Sequence, residues 1–249
     1  MAAPTPPHPV LKDYYASADD RQGFVGALFD ASATHYNHIG RMLDLGSGPA
    51  YRKWAVQRAG LRPGMRLLDV ATGTGLLARG AARIVGKTGR VIGVDPSHGM
   101  LQEAKKALPS SPLVRGRGEA LPFRDAAFDM VSMCFALRHV PDLDAAFHEY
   151  CRVLKPGGRL LVIELSRPTS AILRGIFRIH FQRIIPLLTR LTTRSQPAEV
   201  LMKFYWDTVD QCVAPETIMK ALARSGFVEV ERLLLWGFMS EYRAARPLE

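Results

Sequence analysis

The chain has 249 residues, 47% of them hydrophobic, with 33 basic against 23 acidic side chains and a formal net charge of +10. That length buries a good core within a single large domain, and no uninterrupted apolar run approaches transmembrane length, which argues against two independent domains and against an integral membrane protein. The three cysteines, Cys134, Cys151 and Cys212, are odd in number and lack metal-site spacing, so neither a disulfide framework nor structural zinc is indicated and a reducing cytoplasm fits best.

In chain order, residues 1–11 read as a disordered tail, with four prolines in the first nine positions and no apolar stretch long enough for a signal sequence. Residues 12–249 read as one domain. An apolar strand at Met65–Leu68 runs into Asp69, and a glycine loop leads into a helix over Leu76–Val85. A strand over Arg90–Asp95 and a helix over His98–Leu108, stopped by Pro109, come next. Short strands follow at Leu113–Arg115 and Phe128–Phe135, the latter leading into Ala136-Leu137-Arg138-His139. An amphipathic helix over Leu143–Leu154 is stopped by Lys155-Pro156-Gly157-Gly158, and Arg159–Leu165 is a nearly all-apolar strand. A helix over Pro215–Ser225 precedes two closing strands that open at Gly226–Val230 and at Gly237–Met239. This alternation predicts an α/β fold with a mostly parallel sheet, helices on both faces and ligands at the carboxyl ends of the strands. Segments 24–60 and 166–214 stand outside the repeat and are expected to fold back as a helical lid that selects the substrate.

The loop Asp69-Val70-Ala71-Thr72-Gly73-Thr74-Gly75, followed by Asp95 at the end of the second strand, reads as a nucleotide-type cofactor site. Gly73–Ala78 also satisfies the G-x-G-x-x-A dinucleotide pattern. A carboxylate at Asp69 opposes a pyrophosphate but suits the ammonium and sulfonium of S-adenosylmethionine (SAM), so the order of acid then glycines favours SAM over NAD.

Further segments carry a resemblance. Phe29-Asp30-Ala31-Ser32-Ala33-Thr34-His35-Tyr36-Asn37, Tyr51-Arg52-Lys53-Trp54-Ala55, Glu119-Ala120-Leu121-Pro122-Phe123 with Phe128-Asp129, and Phe135-Ala136-Leu137-Arg138-His139-Val140 resemble motifs of the ubiquinone/menaquinone-biosynthesis C-methyltransferase family of class I SAM-dependent methyltransferases. The likeness implies a Rossmann-like class I methyltransferase fold with seven strands. It also implies a cofactor site formed by Asp69, Ala71, Gly73, Thr74, Gly75, Asp95, Pro96, Met100, Arg117, Gly118, Glu119 and Cys134, with Asp95 on the ribose hydroxyls. Arg117 departs from the family, whose members offer Asp or Asn to adenine there, and an arginine has no acceptor to give. His139 stands in place of an Asn, and Leu76 replaces an acid.

Methyl transfer needs no metal, because the sulfonium is already the electrophile and the protein positions the acceptor and makes it electron-rich. His139 is the expected base, Arg138 the fixed cation for a developing phenolate, and Tyr36 an acceptor-side hydrogen-bonding or covering group. The favoured acceptor is a ring carbon of a demethylated quinol. Alternatives are an N- or O-methyltransferase of a phospholipid headgroup or secondary metabolite, and a catalytically silent SAM-binding or RNA-binding protein. No nucleic-acid recognition signature accompanies the positive charge. Much of that charge lies in Arg167, Arg174, Arg178, Arg183, Arg190 and Arg194, with no acid among them. With Ile172, Ile176, Ile179 and Ile184 they form a basic amphipathic stretch over 170–194, suited either to an anionic membrane surface or to a packed lid. The expected location is the cytoplasm, peripheral on the membrane if the first option holds.

Overall fold

Leu67 and Leu68 are fully buried in the computed structural model, which describes residues 4–44 and 46–249. Strand alternation sends Leu67 to one side and Leu68 with Val70 to the other, so β1 (Arg66–Val70) needs helices on both faces. The remaining strands are β2 (Arg90–Asp95), β3 (Leu113–Arg115), β4 (Phe128–Cys134), β5 (Leu154–Leu165), β6 (Val228–Leu235) and β7 (Met239–Ala245). They form one sheet of order β3-β2-β1-β4-β5-β7-β6, parallel except for β7, which runs antiparallel to β5 and β6. The order reverses between β1 and β4, and the crevice for a ligand opens at their carboxyl ends.

One face is covered by α5 (Leu143–Val153) and α9 (Pro215–Arg224), whose Phe147, Tyr150 and Leu222 pack with Leu68, Val131 and Val162. On the other face α2 (Gly48–Arg58) and α3 (Leu76–Val85) bring Ala55, Val56, Ala78 and Ala81 against Leu67 and Leu161. Gly75 caps α3 with φ +78°, and a Cβ there would lie 2.7 Å from the Leu108 side chain, so both conformation and packing require glycine. α4 (His98–Ala107) is capped by Ser97, whose hydroxyl accepts from the Met100 amide.

The two segments outside the repeat supply most of a third core. In front lies α1 (Asp20–Asp44). Behind β5 come α6 (Ala171–Ile179), a π turn (His180–Ile184), α7 (Ile185–Thr193) and α8 (Gln196–Asp210). Leu28, Ile39, Ile185, Leu201, Met202 and Phe204 bury one another there. Pro186 is accommodated by the π turn just before it, which avoids the bond its missing N–H cannot make.

Three details differ from the sequence reading. β4 stops at Cys134 because Phe135 takes φ +58°. β5 begins at Leu154, so the expected Lys155–Gly158 stop lies inside the strand, where Gly157 at φ +72° accompanies a register shift against β4. Residues 4–11, expected within a disordered tail, instead form a strap; residues 1–3 lie outside the described residues. Its Thr5 amide donates to Asp142, its carbonyl accepts from Leu143 N–H, and its hydroxyl donates to Asp144, all at the start of α5. The Pro7 carbonyl accepts from Val213 N–H, and the His8 ring is 2% exposed against Arg21. Near the other terminus, Arg246 donates to the carbonyls of Cys151, Arg152 and Leu154 at the end of α5. The low hydrophobicity of 1–11 missed these links because they are polar and long-range.

Candidate functional site

Two cavities open at the carboxyl ends of β1, β2 and β4. The first, about 500 Å³, is lined by the strand ends and the turns that follow: Ala71, Gly73, Asp95, Pro96, Met100, Arg117, Gly118, Glu119 and Cys134, with Phe29 and Asp30 of α1 as its roof. These are the sequence-derived cofactor residues except Asp69, Thr74 and Gly75. Asp69 lies beneath the floor, 1% exposed, with its two carboxylate oxygens accepting from the hydroxyls of Thr72 and Ser132 at 2.7 Å. Burial, opposed by those hydrogen bonds, pushes its carboxyl up to about 6. It ties the glycine loop to β4, and its effect on a cation above is through space. Thr74 donates to Asn37 Oδ1 at 2.6 Å, pinning the loop to α1, and Gly75 starts α3.

Asp95 holds the rim. Its Oδ2 accepts from Gly73 N–H at 2.8 Å and its Oδ1 from Ser97 N–H at 2.9 Å. Each carboxylate oxygen has a second lone pair, so both can still accept from vicinal ribose hydroxyls. Burial pushes this carboxyl, too, up to about 6, against the pull of the two amides. Asp30 Oδ1 accepts from Ser97 Oγ and Gly99 N–H, locking α1 onto the start of α4. At the adenine end a Cβ on Gly118 would lie 2.6 Å from the Tyr150 hydroxyl, so the chain passes there only as glycine. Arg117 is half exposed and 3.4 Å from Glu119, whose side chain is mostly buried. The residues present fit an adenosyl ligand: a carboxylate with free lone pairs at the rim, an apolar slot by Met100 and Val140, and Glu119 as a further acceptor.

The second cavity, about 560 Å³, shares Tyr36 and Phe135 with the first and is otherwise walled by α1, α2, the insertion and the β6–β7 turn. Ile39, Leu43, Ile176, Phe177, Phe181, Met202, Phe238 and Met239 make it largely apolar. Its polar members include Arg52, Tyr51, His180 and Tyr205. Tyr51 donates to Glu241, which also pairs with Arg58 and Arg243.

The expected catalytic residues fall differently. Tyr36 lies on the wall between the cavities, with burial raising its phenol. Arg138 lines neither cavity and is 0% exposed. It donates to Glu164 at 2.9 Å, to Thr208 Oγ1 at 2.6 Å and to the Tyr205 carbonyl at 3.0 Å, with its guanidinium 4.3 Å from the Tyr205 ring centre. These bonds join the turn Leu137–His139 and β5 to α8. His139 lies in the cofactor-side wall and not in the acceptor-side one. Its ring stacks on Phe204 at 5.6 Å and meets Phe29 edge-on at 5.1 Å, with no hydrogen-bond partner on either nitrogen. Burial, then the charges of Arg138 and Arg21, hold it well below the usual histidine value. The sequence reading passed over Arg52 and His180; the first lay inside a motif noticed for its likeness, and the second has no local signature.

The ubiE/COQ5 methyltransferase family matches residues 15–238. The chain is 36% identical over 220 residues to the ubiquinone/menaquinone biosynthesis C-methyltransferase UbiE of Laribacter hongkongensis, covering 86% of this chain and 87% of that one. It is 32% identical over 219 residues to the UbiE of Shewanella pealeana, covering 86% of each. Among solved structures, the [4+2]-cyclase SpnF superposes with a TM-score of 0.66 at 17% identity, covering 92% of this chain and 97% of that one. The Haemonchus contortus phosphoethanolamine N-methyltransferase 2, in complex with S-adenosyl-L-methionine, gives 0.58 at 18%, covering 80% and 52%. These two share the fold, and their different names show that the fold does not choose the acceptor.

Proposed function

This chain belongs to the ubiE/COQ5 methyltransferase family and is a SAM-dependent methyltransferase, and from that premise we propose that its acceptor is a demethylated quinol of the ubiquinone/menaquinone type, methylated at a ring carbon. The observation that carries this reading is the apolar second cavity, which meets the cofactor cavity at Tyr36 and Phe135. It offers an aromatic head group a place beside the reacting methyl and leads outward along Ile176 and Trp236, which are 57% and 61% exposed.

When bound, SAM supplies the electrophilic methyl group. Asp95 holds the ribose hydroxyls, Glu119 and the backbone near Gly118 hold the adenine, and Asp69 beneath the loop favours the cationic end. Tyr36 and Phe135 keep water from the junction. Two imidazoles stand near it: His139 on the cofactor side and His180 on the acceptor side. Burial lowers both below 6.5, so each is neutral at pH 7, as a base must be before it acts. Incubation with labelled SAM and a total membrane lipid extract tests the acceptor. Label is expected in the quinone fraction; label in phospholipid identifies a headgroup methyltransferase, and binding without transfer identifies a silent protein. In the same assay His139→Ala and His180→Ala assign the base, which is the residue whose loss lowers turnover without weakening SAM binding.

The same reading places the protein against an anionic membrane. No helix among the described residues is long and apolar enough to cross one. The α6–α7 stretch nevertheless exposes Ile172, Ile176, Ile179, Leu187 and Leu191. Arg174 is held by Asp210, whereas Arg178, Arg183, Arg190 and Arg194 have no carboxylate partner among the described residues. Ile176 belongs both to this face and to the acceptor cavity, so a polyprenyl tail resting in lipid would reach the pocket directly. Replacing Arg178 and Arg183 with Gln is expected to weaken binding to phosphatidylglycerol vesicles by about 1 kcal/mol per residue. Unchanged binding would leave α6 and α7 as a lid alone.

A further inference from the structure

Arg52 is the one lysine or arginine that lines the acceptor-side cavity among the described residues. Its guanidinium carbon is 5.1 Å from the centre of the Phe135 ring, and Phe135 belongs to the wall where the two cavities meet. The side chain is 12% exposed. Asp44, the carboxylate nearest to it, pairs with it through Oδ2 at 3.6 Å, beyond hydrogen-bond length. The adjoining Cys134 sulfur takes one hydrogen bond from the guanidinium but does not neutralise it, since burial pushes that thiol up to about 12. A side chain on Gly48 would collide with both Asp44 and Arg52, so glycine there keeps the space into which the guanidinium extends. A planar cation with five donors is thus left with unused hydrogen-bonding capacity in a largely apolar chamber, where its charge acts more strongly than in water. Arg138, the arginine that the sequence favoured, is 0% exposed and lines neither cavity.

We propose that Arg52 is a catalytic residue of the acceptor side: it binds the ring hydroxyl adjacent to the carbon that is methylated and holds it as the phenolate. This rests on the quinol reading above. The phenolic proton passes by way of the imidazole base to solvent, and the charge it leaves on oxygen is stabilised by Arg52, which stays protonated throughout. Electron density passes from that oxygen to the neighbouring ring carbon. The new carbon–carbon bond forms there as the S–CH3 bond breaks, with the electron pair remaining on sulfur. The ring proton then moves from carbon to oxygen and aromaticity returns, so one proton is released per turnover.

The test uses the full chain with a chemically reduced, short-tailed demethylnaphthoquinol. Arg52→Gln is expected to lower kcat by roughly 10²–10³-fold, the effect of losing one preorganised oxyanion donor, with SAM affinity unchanged. It should also move the acidic limb of the kcat profile to higher pH, because an unassisted phenol ionises later. Arg52→Lys keeps the charge and should recover part of the rate and of the limb. Wild-type kcat in Arg52→Gln, or a lowered kcat with the limb unmoved, would overturn the proposal. If the wild-type protein does not methylate the quinol, the acceptor reading fails instead. Arg52 is then judged by p-nitrophenol, whose absorbance reports ionisation: the wild-type protein should lower the pH at which the bound dye ionises, and an identical titration with Arg52→Gln would sink the idea.

Discussion

The cofactor-side cavity takes its walls from strand ends and the turns that follow them, Val70-Ala71, Asp95-Pro96 and Cys134-Phe135-Ala136. The acceptor-side cavity takes its walls from α1, α2, the 166–214 insertion and the β6–β7 turn. On the first side much of the fixing is done by backbone groups: Gly73 and Ser97 amides hold Asp95, and Ala71 and Phe135 sit at φ +52° and +58°, a left-handed geometry that non-glycine residues rarely adopt and that clusters at functional sites. On the second side apolar side chains from distant elements make most of the surface. Backbone turns fix where a common ligand lies, while side-chain walls can be rewritten without disturbing the sheet, which is how one fold serves several acceptors.

The largest expected effect comes from the element that joins the two halves. Glu164→Ala leaves the fully buried Arg138 without its carboxylate and should destabilise the fold by about 3–5 kcal/mol, measured by urea denaturation. A loss near zero would mean that the Thr208 and Tyr205 bonds suffice and that the halves are held independently. Next is Asp95→Ala, expected to weaken SAM and S-adenosylhomocysteine alike by about 1.5–3 kcal/mol in calorimetric titration while leaving dye binding on the acceptor side intact. The pH dependence sharpens this. With Asp95 raised to about 6, the folded chain prefers the protonated carboxyl, so ionisation costs stability as pH rises from the ordinary carboxylate range through 6. A ligand that needs the ionised form must reverse that preference. SAM affinity should therefore be flat above pH 6 and fall by about tenfold per unit below it, and Asp95→Asn should remove the slope. The smallest effect is predicted for Asn37→Ala, which frees Thr74 and loosens the roof over the glycine loop by about 0.5–1.5 kcal/mol, read as a modest rise in the SAM dissociation constant.

The same contrast explains what was legible in the sequence. The sheet and the residues from Ala71 to Cys134 that line the first cavity announce themselves through strand-turn-helix patterns that act within a few positions. Asp69 was read as part of the cofactor site, yet it lies 1% exposed beneath the cavity, bonded to Thr72 and to Ser132, a partner 63 positions away that no local pattern reveals. Arg138 and His139 stand in the expected loop but are claimed by Glu164, Tyr205, Thr208 and Phe204, all long-range. Arg52 gains its place only when α2 is laid beside α1 and Phe135. The strap over residues 4–11 was hidden for a further reason: its anchoring is by hydrogen bonds, which composition does not register.

Helix α5 is gripped at its first turn by Thr5 and at its last carbonyls by Arg246. The segments nearest the two termini therefore meet on one short rod. Tension applied between the two ends would reach α5 through these contacts and β5 through the Arg246 backbone, which bonds to Gly157 and Gly158, so in a single-molecule pulling experiment the junction of α5 with β5 should bear the load first.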